Sequence, residues 1–200
     1  MDYTNLSRVK SAMDSQQNTQ DSILEDYITR ASRILDKLCT SQPNVVDYFK
    51  LEAISNEFLT NGVINYAGVL SVYPHKPIVT TVTEMFYRFT MHEAWRPIDL
   101  TYTYVLQDTV RFEGNLPQIE NIFVKISYSG GLGASLTDLP ADFIDLATVL
   151  AIRLFKEERS GMSDVVGVVE LGTLSYQKAF PARVIDEINA SNYARIAPWT

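Results

Sequence analysis

The stretch Ser127–Phe143, SYSGGLGASLTDLPADF, decides between two folds. It follows NIFVKISYS, which alternates as a strand does, and it precedes an apolar, helix-like segment. Gly130, Gly131 and Gly133 in that position suggest a loop that cradles phosphate at a helix N-terminus. A Walker loop needs glycine followed by lysine and Ser/Thr, whereas Gly133 is followed by Ala134 and Ser135. A dinucleotide loop needs the G-x-G-x-x-G spacing inside a parallel βαβ unit, and the strands around this stretch read as antiparallel. Ala134–Leu139 also separate the last glycine from Pro140, so a helix dipole starting there is too far away to help. The glycines are therefore expected to supply positive φ at a strand exit. The fold is expected to be α+β, not a nucleotide-binding α/β fold.

C-terminal to the corner, a helix is expected near 140–160. Pro140 suits the first turn, and Asp142 and Asp145 suit the positive end of the dipole. Phe143, Ile144, Ala147, Leu150, Ala151, Leu154 and Phe155 form one apolar stripe. Leu146, Val149 and Ile152 widen it, so these three are expected to pack against more than one neighbour, a second subunit among them. Gly161 is placed for a C-terminal cap. VVGVVELGTLSY reads as a ragged strand or an extended arm, and Pro181 opens a last helix near 181–194.

N-terminal to the corner, residues 45–128 are rich in Val, Ile, Thr, Tyr and Phe, with turn residues at intervals. GVLSVYP, TTVTEMFYRF, TYTYVL, TVRFEG and NIFVKISYS read as strands, and Pro74 and Pro77 suit a bend or an edge. Phe49, Leu51 and Ala53 alternate with Lys50 and Glu52 as in a half-buried strand; a helix over Tyr48–Phe58 is the alternative. The whole is expected to be a small antiparallel barrel or sandwich. Earlier still, a short helix is expected near 5–13 and an amphipathic one near 22–39, the latter opened by a Ser22/Glu25 capping box. Its stripe comprises Ile23, Leu24, Tyr27, Ile28, Ala31, Ile34, Leu35 and Leu38.

Chemistry-bearing residues are sparse. His75 and His92 are the two histidines of the 200-residue chain, and neither has a second His or Cys at metal-ligand spacing. The single cysteine, Cys39, ends an apolar stripe and reads as a buried thiol. No G-x-S-x-G elbow occurs. The formal net charge of −7, without a run of basic residues, argues against tight binding of nucleic acid. No apolar run approaches the roughly 18 residues of a membrane span. The aromatics Tyr66, Tyr73, Phe86, Tyr87, Phe89, Trp95, Tyr102, Tyr104 and Phe112 are read as core and interface first, and as a ligand platform second.

The order of these features resembles the head–tail connector, or adaptor, family of tailed bacteriophages and phage-like gene transfer agents, in its longer branch with a β insert. The marks are Tyr128 with Gly130 and Gly131, Pro140 with Asp142, the helix end Lys156–Gly161, Ser175 with Tyr176, and Pro181. VYPHKPIVTTVTEMFYRF is similar to the Pro-rich strand pair of that branch. NEFLTNGVINYAG and HEAWRPIDLTYTYVL carry no part of the resemblance.

The resemblance implies a non-enzymatic virion protein without cofactors, located at the neck and in host cytoplasm during assembly. It implies a helical core of 1–44 and 129–194, a β insert of 45–128 and a docking tail of 195–200. The implied partners are copies of itself in a dodecameric ring, the portal protein, the next neck or tail-completion protein and, transiently, double-stranded DNA in the channel; no membrane is implied. Tyr193, Arg195, Ile196 and Trp199 are the residues expected to dock on the portal. An acidic chain suits a conduit that DNA must leave quickly. Two other readings stand beside it: a β insert that recognises a glycan or another virion protein, and an enzyme with a scattered carboxylate site.

Overall fold

The computed structural model describes residues 1–14, 18–40, 46–60, 62–106, 109–117, 122–160, 165–167 and 174–176. The chain forms two compact units, one of Met1–Asp47 with Ser135–Thr200 and one of Tyr48–Ala134.

The first unit is helical. α1 (Leu6–Ala12) is capped by Asn5, whose side chain accepts from the Arg8 N–H at 2.9 Å. α2 (Asp21–Cys39) and α3 (Ala141–Ser160) pack against each other and against α1. Leu24, Tyr27, Ile28, Ala31 and Leu35 of α2 are buried, as are Phe143, Ile144, Ala147, Leu150 and Phe155 of α3. Tyr3 meets Phe143, and Tyr27 meets Phe155, edge to face. A polar seam joins the same elements: the hydroxyls of Thr4 and Thr148 lie 2.6 Å apart, and Ser32 Oγ accepts from the Tyr3 N–H at 3.0 Å. Fully buried Asp36 accepts from the Tyr3 hydroxyl, from Arg33 at 3.0 Å and from the Asp47 N–H at 3.0 Å, which ties the segment after α2 to the helix.

Three details of the helices differ from expectation. α2 starts at Asp21 behind Gln20, and no side chain caps it. Ser22 already lies inside the helix, so the Ser22/Glu25 capping box does not form; Asp21 instead brings a carboxylate to the first turn and receives Lys10 at 2.9 Å. Ile23 and Leu38 sit on the exposed side of α2, so its apolar stripe is narrower than the residue types suggest. Pro140 stands just outside α3, its carbonyl accepting the Ile144 N–H at 3.1 Å.

The second unit is a pair of four-stranded antiparallel sheets. The strands are β1 (Glu52–Leu59), β2 (Val63–Ile64), β3 (Val69–Val72), β4 (Val79–Arg88), β5 (Arg96–Pro97), β6 (Thr103–Leu106), β7 (Thr109–Glu113) and β8 (Phe123–Gly130). One sheet has the order β1-β8-β4-β5 and the other β2-β3-β7-β6. Both contribute to one core, with Leu59, Met85, Val124 and Ile126 from the first and Ile64, Leu70, Val72 and Val110 from the second. This is the sandwich form of the expected β region. Tyr48–Phe58 is not helical: Tyr48 and Phe49 are buried before the strand, and Ala53 faces outward. A bulge between Ile54 and Glu57 places Asn56 at φ 55°, a conformation asparagine tolerates, and its N–H reaches Ser127 Oγ at 3.1 Å. Beyond α3, β9 (Val165–Gly167) pairs antiparallel with β10 (Leu174–Tyr176), so the ragged stretch contains a short ladder.

Candidate functional site

At the glycine corner, Gly130 is in register with Glu52 of β1 and with Val79 of β4. Gly131 then turns at φ +127°, and its N–H donates to the Pro77 carbonyl at 2.8 Å. The Leu132 N–H donates to the Phe49 carbonyl at 2.8 Å, and the Leu51 N–H donates to the Gly133 carbonyl at 2.9 Å. These amides are engaged by backbone, which leaves the Gly131 and Leu132 donors unavailable to a phosphate. The corner is a seam between chain segments.

Beneath it, Tyr128 is buried, and its hydroxyl accepts from the Lys76 N–H at 3.0 Å. Lys76 is itself buried, with Nζ at 2.7 Å from Glu52 and donating to the Lys50 carbonyl at 3.2 Å. Next to it His75 bonds Glu57 at 2.5 Å. Burial opposes ionisation of Glu57, but the bonds and charge of His75, with help from the Tyr128 hydroxyl, outweigh it and hold the carboxyl below its usual range. His75 is thus locally bonded. Tyr128→Phe strands the Lys76 N–H and removes a bond to Glu57. It is expected to cost about 1–3 kcal/mol, read as a lower urea midpoint with an unchanged slope.

Cys39 is buried, and burial, aided by the nearby Asp36 charge, pushes its thiol up to about 12, far from a nucleophilic thiolate. His92 is exposed. Among the described residues no group of three or more His, Cys, Asp or Glu side chains is placed to hold a metal ion, and no helix is long and apolar enough to cross a membrane.

Two surfaces remain. On α3, Leu146 is buried within its own unit, Ile152 is half-buried and Val149 is 52% exposed. Asp145, Val149, Ile152 and Lys156 follow at steps of four, three and four, so they share one face. Asp145 makes only a loose pair with Arg8, at 3.6 Å between two exposed side chains.

The other surface is the outer side of β1-β8-β4-β5. Phe58 of β1, Lys125 of β8 and Phe86 of β4 lie in one cross-strand row, and Phe123 of β8 faces Arg88 of β4 in the next. Phe58 stacks on Phe123 at 5.9 Å and meets Trp95 edge-on at 6.1 Å. Arg88 Cζ lies 4.3 Å from the Trp95 ring centre, and Lys125 Nζ lies 4.6 Å from that of Phe86 and 5.4 Å from that of Trp95. Phe58 is 42% exposed, and Phe86, Arg88, Trp95, Phe123 and Lys125 are half-buried, so this aromatic and cationic face is partly open to solvent.

No protein-family model matches the chain, and no curated protein does. Solved structures of gene transfer agent particles are similar at a distance. A chain of the "neck of empty GTA particle computed with C6 symmetry" is 15% identical, with a TM-score of 0.49 over 96% of this chain and 89% of that one. A chain of the "neck of native GTA particle computed with C12 symmetry" is 16% identical, with a TM-score of 0.45 over 96% and 91%. A chain of the "virion of native gene transfer agent (GTA) particle" is 17% identical, with a TM-score of 0.44 over 91% and 82%.

Of the residues singled out in the sequence, Leu146, Val149 and Ile152 fall on α3 as just described, while Tyr193, Arg195, Ile196 and Trp199, like Gly161 and the helix expected from Pro181, lie outside the described residues. The aromatic face was only partly visible. Phe86 and Trp95 were picked out as aromatics, but Phe58, Arg88, Phe123 and Lys125 were not. The signal was present in two short alternations, Phe86-x-Arg88 and Phe123-x-Lys125, which put an aromatic and a cation on the same side of each strand. The chain has no run of basic residues, yet its fold brings two cations to one indole.

Proposed function

We propose that the chain is a structural neck protein of a phage-like particle: an adaptor subunit that assembles into a dodecameric ring on a portal. In this reading it extends the channel for double-stranded DNA and offers a platform to the next neck or tail protein. It catalyses no reaction. The observation that carries the reading is the order of elements: α1 and α2, then a sandwich, then α3 of the same helical unit as α1 and α2. The motifs of the resemblance sit at the joints of that arrangement. Tyr128, Gly130 and Gly131 end the sandwich, Pro140 immediately precedes α3 and Asp142 lies in its first turn, and Ser175 and Tyr176 fall in β10. The last residues, 195–200, are assigned to portal docking because Ile196 and Trp199 form an apolar tail.

Co-sedimentation of the purified chain with its portal protein, and with particles lacking the chain, tests this reading. Association with both is expected, and association with neither overturns it. Deleting residues 195–200 is expected to weaken portal association by about tenfold or more while leaving the melting curve unchanged. Undiminished association of the truncated chain removes the tail from the docking surface.

A further inference from the structure

We infer that the aromatic and cationic face of the sandwich is the docking face for a second copy of this chain, and that it receives the Asp145–Val149–Ile152–Lys156 stripe of that copy's α3. The inference deepens the ring reading by naming the two surfaces that meet.

Charge is the first argument. Arg88 and Lys125 rest on aromatic rings, and among the described residues neither forms an ion pair. Arg88 donates only to the carbonyl and sulfur of Met91, and its buried Nε–H finds no acceptor. Cations desolvated against rings in a chain of net charge −7 call for a carboxylate from outside. Asp145 offers one: it is exposed, and its bond to Arg8 is long.

Pattern is the second argument. Glu84 is exposed and, by strand alternation, lies on the same side of β4 as Phe86 and Arg88. The face is therefore positive at Arg88 and negative at Glu84, about 13 Å apart over four strand residues. The α3 stripe is negative at Asp145 and positive at Lys156, about 16 Å apart over eleven helical residues. Both have apolar groups between their charges, Phe86 in one and Val149 and Ile152 in the other. Laid together with opposite charges facing, Arg88 meets Asp145, Lys156 meets Glu84 and the exposed Val149 meets the rings. Two different surfaces meet in such a contact, so it is head-to-tail and repeats from copy to copy, as a ring requires.

The test is self-association of the full chain in solution, which needs no portal and so separates this inference from the neck reading. Sedimentation velocity at low salt is run on the wild type, on Arg88→Glu/Lys125→Glu, on Asp145→Lys and on an equimolar mixture of the two variants. Concentration-dependent association of the wild type is expected, weakened about tenfold or more in each variant alone. The mixture is expected to associate as the wild type does, because the reversed face of one variant fits the reversed stripe of the other. That recovery also shows that both variants are folded.

A wild type that stays monomeric at every concentration, or a mixture that does not recover, overturns the inference. Association that needs Asp145 but not Arg88 or Lys125 also overturns it, and points to α3 pairing with α3. Binding of a single-stranded oligodeoxynucleotide that Arg88→Glu/Lys125→Glu abolishes, without self-association, reassigns the face to nucleic acid.

Discussion

Leu150→Asp is expected to unfold the helical unit. Leu150 lies in the middle of α3 and is 1% exposed, and Phe143, Ala147 and Ala151 of the same helix are buried too. Truncating such a leucine to alanine costs about 2–5 kcal/mol, and a buried unpaired carboxylate adds several more. Domains have only about 5–15 kcal/mol to lose. Circular dichroism at 222 nm should show most of the helical signal gone at room temperature, with Leu150→Ala folded but less stable. A native melting curve for Leu150→Asp would mean that α3 is not packed as described.

Gly131→Ala is the second large effect, and it strikes the sandwich. A Cβ on Gly131 would lie 2.4 Å from the Lys50 carbonyl oxygen and 2.5 Å from the Leu51 nitrogen, both backbone atoms held in the seam. The φ of +127° is also one that residues with a Cβ rarely adopt. Strain of about 1–2 kcal/mol and overpacking of about 1–3 kcal/mol together predict a loss of about 2–5 kcal/mol. Chemical denaturation followed by tryptophan fluorescence reports on the sandwich directly, because Trp95 lies on it and the remaining tryptophan, Trp199, can be changed to Phe in the background. A Gly131→Ala curve that overlays the parent would refute the account of the corner.

How much of this was legible in the sequence depended on whether the information was local. α2 and α3 announced themselves because their apolar residues recur at helical steps over 19 and 20 residues. The long strands β4 and β8 did so through β-branched and aromatic residues in alternation. Two-residue ladders such as Val63–Ile64 and Arg96–Pro97 have no period to detect, and only their partners define them. The start of α2 was misplaced because Ser22 and Glu25 satisfy a local pattern that the turn before Asp21 overrides. The division of strands between two sheets was not legible at all, since it rests on pairings such as β1 with β8 across the whole insert. The aromatic face suffers from the same difficulty. Its six residues come from four separate segments, and only the register of β1, β8 and β4 gathers them.

That register has a consequence for how the protein is made. Glu52 pairs with Gly130, and Lys50 bridges Gly133, so the sandwich begins and ends at the same spot. During synthesis α1 and α2 emerge long before α3, and the faces that carry Leu24, Tyr27 and Leu35 must wait for it. Once β1 has paired with β8 the intervening loop is closed, and α3 then searches for its partners on a short tether instead of a long one. The same closure makes the sandwich a cassette. Because its two ends are adjacent, it can be lengthened, shortened or exchanged without moving the points at which the helical unit's chain departs and returns.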